Sequence, residues 1–189
     1  MGFTDVLFGR KKLNEPASER LFAMSTARIT LEAELALKPS GAAALCFKAL
    51  SAGEFVRAEN EMQELLQAAA TSSDSKIERK SDDLGYEWLV VRDPDFEDLV
   101  TTVHLVASEL QSRGFGPQLL AAVFRFEGGK GPVYWIYGYK QGAFWPFVPS
   151  GKANERDNAE ELELKAKLEG ELPIEQDLSR WFALYGAPL

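Results

Sequence analysis

The chain has 189 residues, 46% of them hydrophobic, which is enough apolar material for one domain with a substantial core. A formal net charge of -8 excludes a general nucleic-acid binder, because contact with a phosphate backbone requires a basic face. The single cysteine, Cys46, excludes an internal disulfide and a cysteine-based zinc site, which is typical of the reducing cytoplasm. No apolar run approaches the roughly 18 residues that span a bilayer, so we expect neither a membrane span nor an export signal.

The N-terminal segment combines apolar and basic side chains. If it is helical, Phe3, Val6 and Leu7 share one face, and a basic cluster follows at the end of that helix. This arrangement suits an anionic membrane surface or an acidic protein partner, although a tail that merely covers the domain is the alternative. The predicted contact residues are Phe3, Leu7, Phe8, Arg10, Lys11 and Lys12.

Patterns over residues 16–50 predict a short helix and two strands. After the helix at 16–24, residues 28–37 alternate between apolar and mostly polar side chains, which favours a strand. The same residues are rich in Ala, Leu and Glu, so a helix is the competing interpretation. The sequence PSG at 39–41 predicts a turn, and 42–50 the returning strand.

The next part of the chain predicts two long helices separated by a hairpin. Ser51 and Glu54 have capping-box spacing, which indicates a helix over 53–70. A hairpin is predicted from strands at 76–80 and 86–92. Asp93 as cap and Pro94 at the first position predict a helix over 94–113. The expected buried face of this helix is Phe96, Leu99, Val100, Val103, Val106, Ala107 and Leu110.

Residues 115–149 hold about half of the aromatic side chains and predict three antiparallel strands, at 117–126, 133–140 and 143–148. The Gly-rich stretch 127–131 joins the first two strands. It lacks the Gly-Lys-Ser/Thr ending and the following helix of a phosphate-binding loop, so a hairpin turn is the better interpretation. We expect the aromatic rings to be buried beneath the helix over 94–113.

The C-terminal part changes composition and predicts a charged helix over 156–169. Its apolar stripe is narrow, chiefly Leu164 and Leu168, and Glu161 with Lys165 and Glu163 with Lys167 have the spacing of ion pairs. Trp181 and Phe182 are expected to hold the tail on the body. The predicted organisation is therefore a tail at 1–14, a core domain at 15–150 and a helical extension at 151–189 packed on that core.

No catalytic, cofactor-binding or metal-binding residues are predicted. Cys46 lies within a strand rather than at a helix start that would lower its pKa, which argues against a nucleophilic pair with His104. The acidic residues at 93–98 are interpreted as caps of the following helix, in preference to a cation-binding site. A pocket lined by Glu127, Tyr137, Tyr139 and Trp145 is the alternative that would allow small-molecule binding or hydrolysis.

Several phrases spread over the chain carry a resemblance to a known family. The first two are MGF at 1–3 and LFGRK at 7–11. The others are DPDFEDLV at 93–100, GFGPQLL at 114–120 and DLSRW at 177–181. Together they resemble the PspAB family of proteins associated with phage shock protein A. The resemblance implies an accessory role in a cytoplasmic, membrane-facing envelope-stress system, with phage shock protein A or a membrane-bound metalloprotease as partner. It implies no catalytic residue.

The combined prediction is an α+β domain with an antiparallel sheet of about seven strands and helices packed mainly on one face. The predicted function is that of a non-enzymatic accessory or adaptor protein of a phage-shock-type response, cytoplasmic and peripheral at the inner face of the membrane. It would act through protein contact or an anionic membrane surface, without nucleic acid or cofactor. A homodimer formed through edge strands or the charged helix is a third interpretation.

Overall fold

A computed structural model describes residues 18–48, 75–128 and 130–189. Within these ranges the helices are α1 (Ala23–Leu35), α2 (Phe96–Ser112) and α3 (Asn158–Leu168). The strands are β1 (Lys38–Lys48), β2 (Lys76–Ser81), β3 (Tyr86–Arg92), β4 (Leu119–Gly128), β5 (Gly131–Gly138) and β6 (Ala143–Phe147). The N-terminal tail and the predicted helix over 53–70 lie outside the described residues.

The described strands form a six-stranded antiparallel sheet in the order β2-β3-β1-β4-β5-β6. The hairpin β2-β3 and the meander β4-β5-β6 flank the central strand β1. The predicted α+β class and the antiparallel sheet are confirmed. The predicted hairpin at 76–92 and the three aromatic strands are also found, with boundaries shifted by a few residues.

The strand predicted over 28–37 is wrong, and this accounts for six strands instead of about seven. Residues 28–35 continue helix α1, whose buried side chains are Met24, Ala27 and Leu31 at helical spacing. The helix preference of Ala, Leu and Glu therefore outweighs the apparent alternation. The helix ends at Ala36, whose φ of 52° is left-handed, and the N–H of Leu37 donates to the carbonyl of Leu31.

The turn predicted at 39–41 is instead an irregularity inside β1. The pairing register between β1 and β4 shifts between Pro39 and Ala43, which is the signature of a β-bulge. Gly41 has a φ of 73°, and a Cβ there would lie 3.0 Å from the carbonyl oxygen of Asp93. Glycine is thus required at this position both by its dihedral angle and by the close approach of the backbone.

Helix α2 confirms the prediction for its buried face, since all seven predicted residues are buried and Thr102 joins them. The predicted cap is wrong by two residues, because the Asp95 side chain accepts from the N–H groups of Glu97 and Asp98. Asp93 is buried and bonds instead to the N–H of Asp95 and the Ser75 hydroxyl. Proline at 94 therefore precedes the helix rather than opening it.

The aromatic side chains are buried on both faces of the sheet. On the helix side, the Phe96 ring of α2 lies 6.0 Å from Phe124 and 5.4 Å from Phe126, between ring centroids. The other face is covered by the C-terminal tail, where Trp145 and Phe147 meet the rings of Phe182 and Tyr185. Burial was predicted, but cover by a helix holds for only one of the two faces.

The C-terminal segment is attached to the sheet by hydrogen bonds as well as by rings. The Trp145 indole N–H donates to the carbonyl of Phe182, and the Arg125 guanidinium donates to that of Leu189. Trp181 is buried, whereas the Phe182 side chain remains 59% exposed. Trp181 is thus the main anchor of the two aromatic residues predicted to hold the tail.

Candidate functional site

A surface groove forms where the end of α1, the β4–β5 turn and α3 meet. Its floor is apolar and consists of Leu35, Leu37 and Leu164. The groove has a volume of about 320 Å³. Gly128 lets the turn approach closely, because a Cβ there would lie 2.5 Å from the Leu37 side chain.

The rim of this groove carries three carboxylates, Glu34, Glu160 and Glu163, and the ammonium of Lys130. Glu160 and Glu163 face the groove with Leu164 because positions three and four apart share one side of a helix. The Lys130 Nζ lies 3.3 Å from Glu160 Oε2. Within the described residues Lys130 is the one cation lining the groove, so its rim is acidic.

Helix α3 is fixed on the sheet by a buried ion pair next to the groove wall. Glu161 is only 2% exposed, and both of its carboxylate oxygens accept from the Arg156 Nε, at 2.9 and 2.8 Å. Its Oε1 also accepts from the N–H of Val148, just beyond β6. Arg156 in turn donates to the Trp181 carbonyl and lies over the Phe147 ring.

The burial of Glu161 predicts a pH dependence of stability. Burial raises the pKa of this carboxyl from its ordinary 4.5, opposed by the hydrogen bonds from Arg156 and Val148. When a carboxyl has a higher pKa in the folded than in the unfolded protein, its protonated form stabilises the fold. That contribution is fully present at a pH below the unfolded-state pKa, and it is lost as the pH rises through the folded-state pKa.

We therefore expect the stability of the wild type relative to Glu161→Gln to fall as pH rises above 4.5. Glutamine does not titrate, so the difference between the two proteins isolates this one group. Urea unfolding of both proteins between about pH 4 and about pH 7 measures it. A difference that is independent of pH would contradict the expectation.

A second depression lies between α1 and the start of α2, with a volume of about 460 Å³. Its lining carries charges of both signs. The Arg28 guanidinium lies 3.1 Å from the Glu32 carboxylate and 4.0 Å from that of Glu97. The depression therefore lacks the excess of carboxylates that the acidic groove has.

Of the four residues of the predicted aromatic pocket, the structure brings only two together. The rings of Tyr137 and Tyr139 have centroids 5.3 Å apart, and both residues are buried. Burial raises the pKa of Tyr137 to about 12, although Arg20 opposes the shift. Trp145 pairs with Ile136 and so points to the opposite face, while Glu127 is exposed at the far end of β4 and pairs with Arg125.

Cys46 and His104 lie on opposite sides of the sheet. Cys46 alternates with Leu45 along β1 and so points away from α2, which carries His104. Burial raises the pKa of the Cys46 thiol to about 12, with a further contribution from Asp82. The thiol is therefore protonated at neutral pH, and the His104 ring packs against Phe22 instead, 4.5 Å between centroids.

Two features are absent from the described ranges, 18–48, 75–128 and 130–189. No group of three or more His, Cys, Asp or Glu residues there is arranged to hold a metal ion. No helix in the same ranges has the length and apolar character needed to cross a bilayer. The predicted contact residues Phe3, Leu7, Phe8, Arg10, Lys11 and Lys12 lie outside these ranges.

The groove was not predicted from the sequence. The spacing of Glu160, Glu163 and Leu164 on one helix was a usable signal, because it places two carboxylates beside an apolar residue. Glu34 was assigned to a strand, however, so nothing placed it near that helix. Arg156 was also missed, because Glu161 was paired with Lys165, which in fact bonds Glu169.

These observations define a small α+β protein with an open, acidic groove on its surface. Comparison with curated proteins gave no match, and neither did comparison with solved structures. The model of one protein family matches residues 1–189, the whole chain. The chain belongs to that family, PspAB, described as PspA associated protein B.

Proposed function

We propose that this protein is a non-enzymatic adaptor of a phage-shock-type envelope-stress response, acting by contact with PspA. The family match over the whole chain carries the proposal, because the family description names association with PspA. The positions of Cys46 and His104 support it, since both side chains are committed to packing. The acidic groove adds a surface on which a protein partner can dock.

The adaptor would act at the inner face of the membrane, as a peripheral cytoplasmic protein. The sequence supports this through the N-terminal contact segment, defined as residues 1–12, where Phe3, Leu7 and Phe8 stand next to Arg10, Lys11 and Lys12. Basic residues near an anionic lipid surface contribute about 1 kcal/mol each, and short apolar contacts add to this. The segment would bring the protein, and a partner held on it, to the membrane surface.

The association with PspA is tested by affinity capture of the tagged full-length chain from cells that contain PspA. We expect PspA to be recovered in stoichiometric amounts by the wild type, and mass spectrometry of the captured material measures this. A membrane-bound metalloprotease recovered in place of PspA would redirect the proposal to the second partner that the resemblance implies. Recovery of neither protein would contradict the adaptor proposal.

The membrane contact is tested with the triple variant Arg10→Gln, Lys11→Gln and Lys12→Gln in the full chain. Because three basic residues are neutralised, we expect binding to anionic vesicles to fall on the order of 100-fold in co-sedimentation. The matched control neutralises three exposed lysines of the body, Lys76, Lys140 and Lys152, and should bind like the wild type. Equal sedimentation of the two triple variants would remove the membrane contact from the proposal.

A further inference from the structure

We infer that the acidic groove receives an arginine side chain of the protein partner, with a neighbouring apolar side chain of that partner on the leucine floor. This inference rests on the proposed function, because it specifies how a protein partner would be held. It is drawn from the charges, the floor and the size of the groove, each of which restricts the occupant.

The charges of the groove select a cation. Glu34 and Glu163 are exposed, and neither is paired with another described residue. The side chain of Glu160 is only 16% exposed and so presents a partly desolvated carboxylate. Partial desolvation strengthens the attraction for a positive group, because the local dielectric constant is lower than that of water.

Lys130 shows that a cationic head group fits at this carboxylate. Its ammonium is 3.3 Å from Glu160, while its side chain as a whole is 78% exposed and forms no other ion pair with a described residue. Exposed ion pairs of this kind contribute little to stability, so a partner cation can displace Lys130 at small cost. The displaced ammonium then returns to water.

The size and floor of the groove restrict the rest of the occupant. A volume of about 320 Å³ is near the lower end of the roughly 300–1,000 Å³ of ligand sites, so it suits one or two side chains. The aliphatic stem of an arginine packs on leucine side chains while its head remains at the polar rim. Arginine is favoured over lysine because its planar guanidinium donates two parallel hydrogen bonds to one carboxylate and is more weakly hydrated than an ammonium.

The first test measures binding of purified PspA to the wild type and to Glu163→Lys by isothermal titration calorimetry. Glu163 is exposed and forms no hydrogen bond or ion pair with a described residue, so we expect its replacement to leave the fold intact. We expect roughly ten-fold weaker binding, because the new ammonium repels the arginine. The control, Glu169→Lys, makes the same change in charge at the C-terminal cap of α3, outside the groove. It also removes the exposed ion pair with Lys165, which contributes little to stability, so PspA binding should stay within about two-fold of the wild type.

The second test uses two short peptides, acetyl-Leu-Arg-Leu-amide and acetyl-Leu-Gln-Leu-amide, with the full chain. We expect the arginine peptide alone to shift the backbone NMR signals of Glu160, Glu163 and Leu164, and Glu163→Lys to abolish the shifts. No shift at these residues would overturn the inference. If the peptide binds while PspA does not, the adaptor proposal fails and the groove assignment stands.

Two further outcomes would also overturn the inference. PspA binding that is equally strong for the wild type and Glu163→Lys would place the partner elsewhere and leave the adaptor proposal intact. The second is measured by light scattering of the chain alone. If the wild type is a dimer and Glu163→Lys is a monomer, the groove binds a second copy of the chain.

Discussion

Replacing Arg156 by alanine is expected to lower the free energy of unfolding by roughly 3–5 kcal/mol, because it leaves a buried carboxylate without its partner. Glu161 is 2% exposed and receives both of its charged hydrogen bonds from this one guanidinium. The same side chain also donates to the Trp181 carbonyl and stacks over Phe147. The substitution thus loosens α3 and the C-terminal tail together.

Urea unfolding at neutral pH measures this loss, and Arg180→Ala is the matched control. Arg180 also forms ion pairs with two carboxylates, Asp177, which is 50% exposed, and Glu175, which is 12% exposed. Its own side chain is 59% exposed, so water can take its place when it is removed. Exposed pairs contribute about 0–1 kcal/mol, so the control should remain close to the wild type. Equal losses for the two variants would show that Glu161 is not held by a desolvated pair.

Phe124→Ala is expected to cost roughly 3–5 kcal/mol, as is usual for large-to-small substitutions in a close-packed core. Phe124 is completely buried in β4 and lies 6.0 Å from the Phe96 ring of α2. The removed ring leaves a cavity between helix and sheet that neighbouring side chains fill only in part.

Thermal or urea unfolding of Phe124→Ala is compared with that of Phe182→Ala, which removes the same ring from a residue 59% exposed. The control is expected to change stability by less than about 1 kcal/mol, because it forms no cavity. A small effect at Phe124 would contradict the close packing of this ring between α2 and the sheet.

The parts of the fold that were predicted correctly are those with strong local signals. The hairpin over 76–92 and the aromatic strands have turn residues at their ends and β-forming side chains between them. The buried face of α2 follows from helical periodicity over about four turns, so the seven predicted positions could be listed without knowledge of the partner strands. In these elements local preference and tertiary packing agree.

The errors arose where two local signals competed. In the segment 28–37 an accidental alternation was preferred over helix-forming composition, although the buried residues Met24, Ala27 and Leu31 repeat at helical spacing. At Asp93 and Asp95 either carboxylate was able to cap, and burial of Asp93 against Ser75 decided between them. Tertiary contacts of this kind are not visible in a short stretch of sequence.

The groove depends on contacts between distant parts of the chain, which explains why the sequence did not reveal it. Residues 34–37 and 160–164 are brought together only by the packing of α1 and α3 around the β4–β5 turn. The residues of the predicted aromatic pocket show the opposite case, because they are close in sequence. The pairing of β5 with β6 places Trp145 beside Ile136 and Tyr137 beside Phe144, so Tyr137 and Trp145 lie on different faces of the sheet.

The edges of the described sheet have a consequence for self-association. Beside β6, residues 173–175 close the edge: the N–H of Phe144 donates to Pro173 and its carbonyl accepts from Glu175. The other edge, β2, carries the charged sequence KIERKS. Charged or covered edges oppose the addition of foreign strands. We therefore expect neither of these two described edges to seed amyloid-like polymerisation of the folded protein.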